Sequence, residues 1–140
     1  MQPGTLTGIL IAAIAAWIFG AIYYTALGSF WLAAQGKTSE QAKAEFAGKS
    51  TLAKALPFAL SFVGAFIMGL VLYGIMIHSG MFSARAGAIS GVFCWFGFVL
   101  TTVTINNAYA GRRWSLTLID TVHWLCVLII IGAIVGAWGH

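Results

Sequence analysis

Charge is scarce in this chain: its 140 residues hold seven basic and three acidic side chains. A soluble domain carries roughly 25% charged residues, so these few ions cannot coat a water-facing surface, and a soluble globular protein is excluded. Disorder is excluded too, because it needs low hydrophobicity and high charge, whereas 61% of the residues are hydrophobic. The small basic excess reads as a topology signal, and no nucleic-acid partner is expected. Cysteine is limited to Cys94 and Cys126. There is no CxxC and no Cys/His pair at ligand spacing, so metal binding has no support. Both cysteines fall near mid-membrane, away from the aqueous compartments where disulfides form, and are expected as buried thiols. No activated-nucleophile motif and no phosphate loop occur, and no cofactor is expected.

What the chain does have is long apolar runs. A helix needs about 20 mostly apolar residues to cross a bilayer, and four stretches qualify. Residues 5–27 carry no charge, 52–78 are charged only at Lys54, 84–107 have Arg85 in the first turn, and 116–138 contain Asp120. The expected fold is all-α: an integral membrane bundle of four transmembrane helices, forming one transmembrane domain over residues 1–140, with the lipid bilayer as partner. The first stretch has no Lys or Arg ahead of it and is too long for a signal-peptide core, so a retained helix is expected.

The one long polar segment spans residues 28–51. Within it, Thr38-Ser39-Glu40-Gln41 has the form of a capping box, predicting a short surface helix that Gly48 ends. Pro57 falls early in the second span, either near its start or bending it. Lys37, Lys43 and Lys49, with Lys54 at the edge, lie between spans one and two, and Arg112 and Arg113 between spans three and four. The opposite side holds only Arg85. The positive-inside rule then places both basic loops in the cytoplasm and both termini on the non-cytoplasmic side of the plasma (inner) membrane.

Helices in lipid associate through small residues that let backbones approach. Ala12, Ala16 and Gly20, then Gly87 and Gly91, then Gly132 and Gly136 supply such stripes. They fit tight packing within one bundle or a seam in a homo-oligomer, a dimer or trimer being expected. Trp31, Trp114 and Trp138 read as interfacial belt residues, while Trp95 and Trp124 lie deeper.

In this topology the unusual polar residues collect at one end. They are Tyr23 and Tyr24 on the first span, Asn106 and Asn107 on the third, and Asp120 and His123 on the fourth. Helical spacing puts Thr117, Asp120, His123 and Trp124 on one face, and Trp95, Val99, Thr102 and Asn106 on another. An ionisable residue inside a span is a site hypothesis by default. Asp120 is the only acidic one, expected to bond across helices to a tyrosine, an asparagine or Arg112. His78 and His140 sit at membrane edges and carry no signal.

These motifs, in the order Tyr23-Tyr24, Trp31, Gly36, Trp95-Phe96-Gly97-Phe98, Asn106-Asn107, Gly111-Arg112 and Ile119-Asp120, resemble those of small membrane proteins grouped as the domain of unknown function 1761. The resemblance runs from about Ile9 to Gly136. Where that family more often has Trp-Tyr-Ser-Pro, this chain has Tyr23-Tyr24-Thr25-Ala26. The resemblance implies a compact four-helix membrane protein and implies no activity.

Three functional classes stay open. Asp120, His123, Asn106, Asn107, Tyr23, Tyr24, Arg112 and Trp124 could surround a small solute, cation or lipid ligand. The same groups could merely lock helices together in a structural or partner-binding subunit. An enzyme acting on a lipophilic substrate is the weakest of the three, since Asp120 and His123 would need a substrate pocket beside them. A cavity beside Asp120 would favour the first class.

Overall fold

A computed structural model describes residues 3–138; His140 lies outside them. The chain is all-α, with four helices long and apolar enough to cross a membrane. These are α1 (Pro3–Ala26), α4 (Thr51–Ser79), α5 (Ala84–Tyr109) and α6 (Trp114–Trp138), with the short α2 (Gly28–Ala34) and α3 (Ser39–Ala47) between the first two. Thr38 caps α3 and both halves of the capping box form. Lys37 on the adjoining turn bonds Glu45 at 2.6 Å, and this hydrogen bond holds the Glu45 carboxyl below the usual carboxylate range. Ser50 and Ser83 cap α4 and α5. Gly80, left-handed at φ 66°, ends α4 and lets the chain reverse within four residues. Pro57 stands inside α4 rather than at its start.

Helix α6 packs against α1, α4 and α5; its second half is wholly apolar, and its polar residues, Thr117, Asp120, Thr121 and His123 among them, are confined to its first half. Ile9, Leu72, Met76, Ile131 and Val135 are its fully buried neighbours and members. The α5–α6 crossing is different in kind. An added Cβ on Gly87 would lie 1.8 Å from the Gly132 carbonyl oxygen, and one on Gly91 would lie 2.3 Å from that of Leu128. The two backbones therefore touch, with nothing between them. Gly132 and Gly136 face Gly87 and Ser83 in return, so these stripes are used within the chain and lend no weight to a homo-oligomer.

Helix α5 is not uniformly α. Residues Trp95–Leu100 form a π-helical turn, which adds residues per turn and shifts the phase of everything after it. Thr101 Oγ1 bonds back to the Gly97 and Phe98 carbonyls.

Candidate functional site

The polar residues meet on the first two turns of α6. Asp120 lies six residues past Trp114, about 9 Å along the helix axis, half-buried. Its Oδ1 accepts from Tyr24 Oη at 2.9 Å and from Trp31 Nε1 at 3.1 Å. Tyr23 Oη donates to the Ile119 carbonyl at 2.9 Å, and Trp95 Nε1 to the Thr121 carbonyl at 2.7 Å. Asn107 Nδ2 donates to Thr117 Oγ1 at 3.0 Å. Donors from α1, α2 and α5 thus converge on residues 117–121 of one helix.

Two of the expected partners are placed elsewhere. Asn106 is exposed and Asn107 is buried, because the π-turn advances the inner face of α5 from the Trp95, Val99, Thr102, Asn106 series to one that ends on Asn107. Arg112 does not pair with Asp120. It sits in the turn beyond Gly111, which is left-handed at φ 63°, nearly two helical turns above the carboxylate. Among the described residues the only salt bridge is Lys37–Glu45, so Asp120 has no basic partner.

Trp31 was legible only as an interfacial residue, and it is also a donor to Asp120. The break at Leu27 puts Trp31 on α2 and Tyr24 on α1, so helical spacing along the sequence gave no signal for this role. The aromatic rings of Tyr24 and Trp31 meet edge to face, 5.4 Å apart. His123 is 7% exposed and sits among Phe19, Tyr23, Tyr24 and Trp124, with ring centroids 4.7–6.2 Å away. Its Nδ1 is buried without a hydrogen-bond partner. Its Nε2 faces α1 at Gly20, 3.0 Å from where a Cβ would stand.

Beside this cluster a cavity of about 590 Å³ opens between α1, α2, α4 and α6. Tyr24, Trp31, His123 and Trp124 form its inner wall, and Trp17 and Phe58 its outer one. Trp17 and Phe58 are exposed, so the cavity opens sideways, where lipid would lie. Trp17 Nε1 bridges α1 to α4 at that opening, bonding the Phe58 carbonyl and Ser61 Oγ, each at 3.1 Å. Composition gave no sign of Trp17, Phe58 or Ser61 as site residues. Cys94 and Cys126 are free thiols, both half-buried.

Neither the curated proteins nor the solved structures contain a match to this chain. A family model, by contrast, matches nearly all of it. Over residues 7–136 the chain belongs to the family described as "Protein of unknown function (DUF1761)".

Proposed function

We propose that the protein binds a lipophilic amine or quaternary cation in the side-opening cavity. The observation that carries this reading is a membrane carboxylate, Asp120, with no basic partner among the described residues, held directly behind the aromatic wall of an apolar cavity. An intramembrane charge calls for a compensating one. Aromatic faces attract cations, and Tyr24, Trp31 and Trp124 line the cavity. The cavity is of ligand size, and small and aromatic walls suit the organic body of a cation. His123 adds an imidazole to a wall otherwise short of polar groups. By the six-to-one distribution of Lys and Arg, the cavity end and the basic loops face the cytoplasm.

The hydrogen bonds that Tyr24 and Trp31 give Asp120 are also what a purely structural lock would use. Tetraphenylphosphonium and tetraphenylborate separate the readings, having one shape and opposite charge. With the protein in lipid nanodiscs, tryptophan quenching should show saturable binding of the cation and only unsaturable partitioning of the anion. Asp120→Asn should weaken cation binding by about tenfold or more, equivalent to about 1.4 kcal/mol. Saturable binding of both ions, or of the cation equally by Asp120→Asn, would leave the structural lock as the better account.

A further inference from the structure

A second, smaller recess lies at the basic end, apart from the aromatic cavity. It measures about 350 Å³ and is bounded by Gln35 and Gly36 after α2, by Gly111, Arg112 and Arg113 before α6, and by Leu116. From this notch we infer a binding site for a phosphate group, of a lipid headgroup or of a free phosphate.

Its charge is unbalanced. Arg112 and Arg113 bring two guanidinium groups, and neither forms a salt bridge among the described residues. Arg113 is already positioned: its Nη1 donates to the Ala33 carbonyl at 2.8 Å, which fixes the guanidinium beside the notch and leaves further N–H donors uncommitted. Gln35 supplies an independent sign. Gln35 itself is half-buried at the notch, and its amide Nε2 is buried with no hydrogen-bond partner among the described residues, an arrangement that folded proteins seldom leave without an acceptor. Gly36 and Gly111 are both left-handed, at φ 73° and 63°, so the two turns that form the rim carry no Cβ to narrow it. The 25-residue α6 begins at Trp114 beside the notch, and a helix N-terminus favours an anion.

These groups are donors clustered around a space with no carboxylate in it. Arginine pairs bidentately with phosphate oxygens, and basic recesses between membrane helices at the cytoplasmic surface bind lipid headgroups. Trp114, exposed at the start of α6, is placed to mark the interfacial level at which headgroup phosphates lie.

The test uses the full chain in phosphatidylcholine nanodiscs doped with phosphatidylglycerol, then released into native mass spectrometry. Wild type should retain one phosphatidylglycerol under conditions that strip phosphatidylcholine. Arg112→Gln and, separately, Gln35→Leu should cut that retention by about fivefold or more, while Lys43→Gln, on the same end but outside the notch, should not. Circular dichroism confirms that each variant is folded, and the two notch variants guard against either one failing to fold. Inorganic phosphate added at millimolar level distinguishes the source. Displacement of the lipid assigns the notch to free phosphate as well, and no displacement assigns it to the headgroup. Equal retention by wild type and both folded notch variants, or an equal loss on Lys43→Gln, would overturn the site.

Discussion

Asp120→Asn separates a charge kept for a ligand from hydrogen bonds kept for the fold. An asparagine oxygen in the same place still accepts from Tyr24 Oη and Trp31 Nε1, which lie 2.9 and 3.1 Å from the carboxylate. Hydrogen bonds to a charged group contribute about 1.5–3 kcal/mol and neutral ones about 0.5–1.5. Neutralising the acceptor therefore weakens the pair of bonds by about 2–3 kcal/mol in all. Against this, the substitution removes an ion without a counter-ion. Such a charge costs about 2.5–3.5 kcal/mol at the centre of a membrane helix, and somewhat less at the half-buried depth of Asp120. The two terms nearly cancel, so Asp120→Asn is expected to alter stability by no more than about 1 kcal/mol. Asp120→Leu removes the acceptor as well and strands both donors. At the low end of about 1 kcal/mol per unpaired donor, appropriate to half-buried groups, it should fall about 2 kcal/mol below Asp120→Asn. Unfolding in mixed micelles of increasing dodecyl sulfate fraction, followed by circular dichroism, measures both. If Asp120→Asn were as damaging as Asp120→Leu, the charge itself would be holding the helices together and the reasoning for a cation site would fail.

Two further variants probe the frame around the site. Gly132→Ala would place its Cβ 2.1 Å from the Gly87 carbonyl oxygen, against backbone that cannot rotate away; overpacking of this kind costs about 1–3 kcal/mol, and the same micelle titration should show a loss at the upper end, while no loss would mean the two backbones are not in contact. Asn107→Ala should destabilise by about 1 kcal/mol through the lost bond to Thr117, and Asn106→Ala should be silent in that titration; the reverse order would show that α5 has no π-turn and that its inner face follows plain α spacing.

The four spans were legible because length and apolarity alone decide what can cross a bilayer, and the capping box at Thr38 because its two reciprocal bonds are local. That Asp120 would bond across helices was legible as chemistry, from one intramembrane acid with tyrosines, an asparagine and Arg112 as candidate donors; that the donor is Tyr24 was not. What lay beyond reach was whatever depends on phase or on distant partners. Helix α2, Gly28–Ala34, has no side-chain cap and no composition to announce it; the bond from Trp31 to Asp120 and the one from Arg113 to Ala33 anchor it from outside. The π-turn exchanged Asn107 for Asn106 because a 3.6-residue period was carried through six residues that do not obey it. The glycine stripes showed that some backbone would approach closely, but spacing cannot say whether that backbone belongs to the same chain.

The cavity is a consequence of where α4 packs. All four of its buried residues, Ala65, Gly69, Leu72 and Met76, lie in its second half, and none of residues 51–64 is buried. At the far end α4 closes on α1 and α6: a Cβ on Gly69 would lie 2.9 Å from Ile9, and the fully buried side chains gather there. At the basic end α4 stands off, and Pro57, Phe58 and Ser61 border open space. The bond from Trp17 to Phe58 and Ser61 is the tie across that gap. Few buried contacts mean low local stability, so the half of α4 that borders the cavity is its less firmly held half. The densely packed α5–α6 seam and the core around Ile131 fix α6 in place. Asp120 thus sits directly behind a cavity wall that the packed α6 holds in place, and the cation proposed above would enter on the side where α4 is unburied.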